Sequence, residues 1–120
     1  MPRDRFFTML ASSDVILDPI HFGGGNSSYE ALAVGAPIVT LPGDLLRSRI
    51  TQALYSKAGY RELVAESEGD YIEKAVRLGT DPDYRERARA AIAAGCDVLY
   101  DDDREVRDLE DCLERLSQEL

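Results

Sequence analysis

Histidine and cysteine are scarce in this chain of 120 residues, which has one histidine, His21, and two cysteines, Cys96 and Cys112. A structural zinc site takes about four Cys or His ligands at short spacings, so the sequence excludes a zinc domain of that kind. Two cysteines in separate segments define no disulfide framework either. We therefore predict a cytoplasmic protein with two free thiols and no bound metal.

Long apolar runs are absent as well. No segment approaches the roughly 20 apolar residues that a membrane-spanning helix needs. The first residues, MPRDRFFTMLASSD, carry acidic side chains and lack the apolar centre of a secretory signal peptide. The sequence thus predicts neither a membrane span nor a secretory leader.

Positive charge is in deficit, but only in the second half of the chain. The formal net charge is −9; residues 1–60 carry five basic and five acidic side chains, and residues 61–120 carry nine and eighteen. Such an acidic surface disfavours nucleic acid as a partner. The balanced first half remains compatible with a local anion site. With 44% hydrophobic residues, the chain can bury the core of one small domain.

Glycine is concentrated in one loop, which leads through small polar residues into a short helix that carries Glu30. The loop and the helix start consist of Gly23, Gly24, Gly25, Asn26, Ser27 and Ser28. Glycines allow a ligand to approach the main chain, and a helix start offers free N–H groups that attract phosphates. Glu30 can accept two hydrogen bonds from a ribose diol. The alternative is a structural turn, because the spacing matches neither the dinucleotide fingerprint nor the P-loop.

Apolar runs around this loop predict an α/β fold with a short parallel sheet of about three strands, at 15–17, 38–41 and 63–65. The first two strands flank a helix at 27–34, which makes a βαβ unit with the glycine loop at the carboxyl end of its first strand. Asp44 is expected to cap the next helix. From residue 66 onward the pattern is helical, with Asp81 and Pro82 opening one helix and Val106 beginning the apolar face of the last.

Residues 14–43, DVILDPIHFGGGNSSYEALAVGAPIVTLPG, resemble the sugar-donor segment of GT-B glycosyltransferases. More narrowly, they are similar to the O-linked N-acetylglucosamine transferase family and its SPINDLY-like members. Arg47, Arg49, Gly59 and the segment YIEKAVRLGTD extend the resemblance over nearly the whole chain. The resemblance implies that residues 1–120 are the C-terminal, donor-binding portion of such an enzyme, with a partial Rossmann-like, three-layer fold.

The family resemblance also implies a function. Its members transfer N-acetylglucosamine from uridine diphosphate (UDP) to serine or threonine hydroxyls of proteins, with inversion and without a metal or other cofactor. The acceptor domain lies outside this sequence, so we expect the chain to be inactive alone and to self-associate or pair with the missing half through an open sheet edge. Two alternatives remain: a non-catalytic nucleotide-sugar-binding or protein-interaction module, and part of another GT-B enzyme such as an epimerase.

The resemblance assigns individual roles in binding the sugar donor. Glu30 stands where the family has an acidic residue that holds the ribose hydroxyls. Gly25, Asn26 and Ser27 stand where backbone N–H groups meet the diphosphate. Some family members have His-Thr-Thr at these three positions, so the backbone contacts transfer to this chain more directly than the hydroxyl contacts do.

Five further residues have open assignments. His21 is predicted to contact phosphate or sugar, to be a structural loop residue, or to act as a general base, a role that histidine often takes. Arg3 and Phe6 stand where the family approaches the nucleobase and ribose, although a helical phenylalanine also suits the core. Arg47 and Arg49 are expected either to reach phosphate or to be solvated.

Overall fold

The computed structural model describes residues 2–119 and consists mainly of helices around a small sheet. The helices are α1 (Arg3–Ser12), α2 (Asn26–Ala33), α3 (Ile50–Ala58), α4 (Glu68–Thr80), α5 (Pro82–Gly95) and α6 (Asp103–Glu119). Two 3-10 turns occupy Leu46–Ser48 and Cys96–Leu99, and the strands are β1 (Ile16–Leu17) and β2 (Ile38–Val39). The predicted α/β class with a helical C-terminal third is confirmed.

The sheet is parallel, as predicted, but shorter. β1 and β2 pair with Ile16 opposite Ile38 and Leu17 opposite Val39. The expected third strand is reduced to one parallel bridge between Thr40 and Val64. Because β1 and β2 run in the same direction, the loops that follow them emerge side by side at one edge of the sheet.

Helix boundaries set by local signals lie where the sequence predicts them. The Asp81 carboxylate accepts the N–H groups of Asp83 at 3.1 Å and Tyr84 at 3.2 Å, and Pro82 occupies the first turn of α5. Gly59 ends α3 with a φ of 78°, a left-handed conformation that favours glycine.

The predicted helix start at Asp44 is wrong. Asp44 caps no helix, and α3 begins only at Ile50. The intervening loop folds on Ser48, whose hydroxyl donates to the Leu45 carbonyl at 2.8 Å and accepts the Gly43 N–H at 3.2 Å. These side-chain bonds replace the helix that the apolar spacing suggests.

One apolar core joins β2 to the surrounding helices. Its large, fully buried side chains come from α2, α3, α4, α5, β2 and the turn before Val64: Leu32, Ile38, Tyr55, Leu63, Leu78 and Ile92. At the periphery, Leu17 on β1 is 55% exposed. The proposed self-association through this edge of the sheet stays a prediction. Among residues 2–119 no helix combines the length and the apolar character that crossing a membrane requires.

The close approach of α5 to the end of α3 predicts opposite effects at two glycines. A Cβ on Gly95 would lie 2.7 Å from the Ala58 carbonyl oxygen, whereas nothing lies within 4 Å of the equivalent position on Gly79. Gly95→Ala should therefore lower the free energy of unfolding by about 1–2 kcal/mol. The matched substitution Gly79→Ala should raise it by about 0.5–1 kcal/mol. Urea unfolding of both variants measures the difference, and equal stability would refute the packing described here.

Candidate functional site

A buried carboxylate holds the glycine loop against the sheet. Asp18, directly after β1, is 4% exposed. Its Oδ1 accepts the Gly24 N–H at 2.7 Å, and its Oδ2 accepts the Thr40 hydroxyl at 2.7 Å. The main chain of Asp18 is also anchored, since the Tyr71 hydroxyl of α4 donates to its carbonyl at 2.8 Å. Burial and the nearby Asp18 charge raise the pKa of Tyr71, which keeps this hydroxyl protonated and donating.

Arg47 joins the glycine loop to the loop after β2. Its Nε donates to the His21 carbonyl at 3.2 Å, and its own carbonyl accepts the Gly23 N–H at 2.7 Å. Arg49 is oriented in a similar way, with Nη1 donating to the Gly43 carbonyl at 2.7 Å. Both arginine side chains are exposed, so their charge is available at the edge of the sheet.

The N–H groups of the first two glycines already have acceptors within the chain. The Gly23 N–H donates to the Arg47 carbonyl, and the Gly24 N–H donates to the Asp18 carboxylate. Gly24 also has a packing role. A Cβ there would come within 2.5 Å of the Ser28 Oγ and 2.8 Å of the Ser27 Oγ, so a larger residue would have to move these two hydroxyls.

The free N–H groups lie one residue further along, at the start of α2. The N–H groups of Ser28 and Tyr29 donate to the Gly25 carbonyl at 3.0 and 3.2 Å. Within the described residues, those of Gly25, Asn26 and Ser27 have no protein acceptor. Because no side chain caps this helix, three consecutive N–H groups and the positive end of the helix dipole remain available to an anion.

The side chains around this helix start separate into two groups. Asn26 and Ser27 are exposed, and Glu30, one helical turn further on, is half-buried and forms no hydrogen bond or ion pair within residues 2–119. Ser28 points inward, where its hydroxyl shares a buried 2.8 Å hydrogen bond with the Thr51 hydroxyl. At 3% exposure, Ser28 offers little of its side chain to a ligand at this helix start.

The other residues predicted to bind the sugar donor lie on both sides of the glycine loop. Phe6 is half-buried and lines a cavity of about 150 Å³ together with Pro19, Gly24 and Ser27. Arg3 is exposed, and its guanidinium carbon lies 5.6 Å from the centre of the Phe7 ring. His21 is exposed and lines a cleft of about 320 Å³ with Gly43, Asp44, Leu45, Arg47 and Ser48. The roles of these residues in ligand binding stay predictions.

This arrangement suits an anionic ligand. The free N–H groups and the exposed guanidinium of Arg47 supply positive charge where the two loops meet. Glu30, early in the same helix, adds an acceptor that has no partner within residues 2–119. Sequence reasoning missed Asp18 and underestimated Arg47, and the signal for Asp18 was a carboxylate that directly follows an apolar strand.

Comparison with known proteins decides the family. The model of glycosyl transferase family 41 matches residues 8–100, which include α2 and both loops. This chain belongs to glycosyltransferase family 41.

Two relatives and one solved structure support the same family assignment. The chain is 36% identical over 103 residues, 84% of its length, to UDP-N-acetylglucosamine–peptide N-acetylglucosaminyltransferase of Caenorhabditis elegans. It is 34% identical over 68 residues, 57% of its length, to a protein of Petunia hybrida named as a probable UDP-N-acetylglucosamine–peptide N-acetylglucosaminyltransferase SPINDLY. A mutant of the Thermobaculum terrenum O-GlcNAc transferase superimposes on 96% of the chain with a TM-score of 0.83 and 33% identity.

The family 41 relatives are much longer than this chain. It spans 9% of the nematode protein and 7% of the petunia protein. It spans 22% of the Thermobaculum terrenum chain. The family match, the identities and the superposition confirm the resemblance to O-linked N-acetylglucosamine transferases and SPINDLY proteins, and they confirm the fold that it implied.

Proposed function

We propose that residues 1–120 are the donor-binding portion of a family 41 transferase and bind UDP-N-acetylglucosamine at the start of α2. The observation that carries the proposal is the run of three N–H groups, from Gly25 to Ser27, that have no acceptor within residues 2–119. One helical turn later comes Glu30, which has no partner in the same part of the chain. The names of the nematode and petunia relatives support this choice of sugar donor.

In the proposed complex, the diphosphate lies against the free N–H groups of Gly25, Asn26 and Ser27. When the bond from the sugar to the diphosphate breaks, negative charge grows on the leaving oxygen. Fixed N–H dipoles and the guanidinium of Arg47 stabilise that charge, so the proposed reaction needs no metal ion. Glu30 accepts hydrogen bonds from the ribose hydroxyls and fixes the position of the nucleotide.

The proposed reaction also needs a protein hydroxyl that attacks the anomeric carbon from the face opposite the diphosphate, which inverts its configuration. That hydroxyl must be held in line with the breaking bond. In our proposal an acceptor domain outside this chain supplies this positioning, so residues 1–120 bind the sugar donor but do not transfer the sugar alone. His21, exposed in the cleft beside Arg47, is a further residue that we propose to contact the phosphates or the sugar.

Titration calorimetry with UDP tests the proposed site. We expect saturable binding that Glu30→Ala weakens by roughly 1–2 kcal/mol, because the ribose hydroxyls lose a charged acceptor. Glu73→Ala is the matched control: it removes an exposed glutamate of α4 that makes no ion pair within the described residues, and it should leave the affinity unchanged. Absence of binding at millimolar UDP, or an equal loss in both variants, would reject the site.

A further inference from the structure

A buried pair of hydroxyl groups joins the start of α2 to the start of α3. The Ser28 and Thr51 hydroxyls share a hydrogen bond of 2.8 Å, and the two residues are 3% and 1% exposed. They are 23 residues apart in the sequence, so the contact links two separate segments of the fold. Because both hydroxyls lie inside the chain, their contact does not depend on what packs against its outer surface.

The α3 end of this link is fixed to the sheet. Tyr55 lies four residues after Thr51, on the same face of α3, and is fully buried. Its hydroxyl bonds to both main-chain groups of Ile38 on β2. Thr51 therefore belongs to a helix whose position relative to β2 is set by hydrogen bonds one turn further on.

The α2 end of the link lies beside the three free N–H groups. Ser28 directly follows Ser27, the last residue of that run. Within residues 2–119, the Ser28 hydroxyl forms the only side-chain hydrogen bond that the segment from Gly25 to Tyr29 makes. The bonds that hold the preceding loop end at Gly24. The direction of the free N–H groups thus depends on Gly24 on one side and on Ser28 on the other.

Thr51 also lies close to the loop that carries the two arginines of the site. Only Ile50 separates it from Arg49, and Ile50 Cδ1 lies 3.9 Å from the position that a Cβ on Gly25 would take. The starts of α2 and α3 therefore meet at two neighbouring points, Ile50 beside Gly25 and Thr51 bonded to Ser28. A shift at these points would change the distance between the free N–H groups and the guanidinium groups.

Stability alone does not explain a hydroxyl pair at this position. A buried hydrogen bond between neutral groups contributes only modestly to stability, and two apolar groups of the same shape can replace it at almost no cost. A satisfied hydrogen bond in the core instead makes one arrangement of the packed elements specific and rigid. Between α2 and α3, that arrangement is the one that sets the geometry of the anion site.

We propose that Thr51 is a positioning residue for the sugar-donor site. Through Ser28 it fixes the first turn of α2, and it thereby directs the Gly25–Ser27 N–H groups at the diphosphate beside the Arg47 guanidinium. At 1% exposure, Thr51 acts through Ser28 and not by touching the ligand. The inference rests on the proposed function, because the diphosphate is the group that these N–H groups are positioned to meet.

Three variants test the role of Thr51, each studied as the full chain by UDP titration calorimetry and urea unfolding. Thr51→Val keeps the shape and removes the hydroxyl, so UDP binding should weaken roughly tenfold and the urea midpoint should fall. Thr51→Ser keeps a hydroxyl and should bind UDP within about twofold of the unmodified chain. Ser28→Ala combined with Thr51→Val removes both hydroxyls, so the urea midpoint should recover while UDP binding stays weak.

The combined variant distinguishes positioning from a purely structural role. If the pair acted only through stability, UDP affinity would recover together with the urea midpoint, and that result would overturn the inference. Equal UDP affinity of Thr51→Val and the unmodified chain would overturn it as well, while leaving the proposed function intact. If Thr51→Val did not fold, the combined variant would provide the same comparison. Absence of UDP binding to the unmodified chain would reject the proposed function, and this inference with it.

Discussion

Asp18→Ala is expected to lower the free energy of unfolding by about 3 kcal/mol and to abolish UDP binding at the proposed site. The substitution leaves the buried Thr40 hydroxyl and the partly buried Gly24 N–H without their acceptor. A hydrogen bond to a charged group contributes about 1.5–3 kcal/mol to stability, and Asp18→Ala loses part of this contribution at both Gly24 and Thr40. Without the carboxylate, the loop that sets the direction of the Gly25 and Asn26 N–H groups is no longer held.

Asp18→Asn is the matched control for the Asp18 prediction. The amide has the shape of the carboxylate, so its oxygen can still accept from Gly24 while its nitrogen donates to the Thr40 oxygen. We expect a loss of about 1 kcal/mol in stability and measurable UDP binding. Urea unfolding and calorimetry of both variants separate folding from binding. If Asp18→Ala were as stable as the unmodified chain, the buried carboxylate would not organise the loop.

Asp18 also shows where sequence reasoning stops. Its position, after an apolar run and before Pro19, marks the end of a strand. Its partner Thr40 lies 22 residues away. No local pattern indicates that the two side chains meet, because the contact depends on β1 and β2 ending at the same edge of the sheet.

Features controlled by neighbouring residues were predictable. The end of α3 at Gly59 and the start of α5 at Asp81 and Pro82 depend on the conformational preference of glycine and on bonds spanning two or three residues. The third strand depended on tertiary contacts, and the helix start expected at Asp44 gave way to the side-chain bonds of Ser48, so both predictions differed from the structure. The apolar spacing of α6 was visible in the sequence, but spacing does not reveal what an apolar face packs against.

Tyr55→Ala is expected to have the largest effect of the predictions made here, a loss of about 4 kcal/mol in the free energy of unfolding. Tyr55 is fully buried, and removing an aromatic side chain from a core costs about 3–5 kcal/mol. Its hydroxyl also pairs with both main-chain groups of Ile38, as a neighbouring strand would. It donates to the Ile38 carbonyl at 2.7 Å and accepts the Ile38 N–H at 3.0 Å. Burial raises the pKa of this hydroxyl, so it remains protonated and able to donate.

Tyr55→Phe separates the two contributions, because it keeps the ring and removes only the hydroxyl. Both main-chain groups of Ile38 on β2 would then be buried without a partner, so we expect this variant alone to lose about 2 kcal/mol. Tyr29→Phe is the control, because Tyr29 is 39% exposed and its hydroxyl bonds to nothing in residues 2–119. The free energy of unfolding of this variant should change by less than about 0.5 kcal/mol. Urea unfolding compares the three variants. Equal stability of Tyr55→Phe and Tyr29→Phe would mean that the ring alone, and not the hydroxyl that completes the edge of β2, holds the sheet to α3.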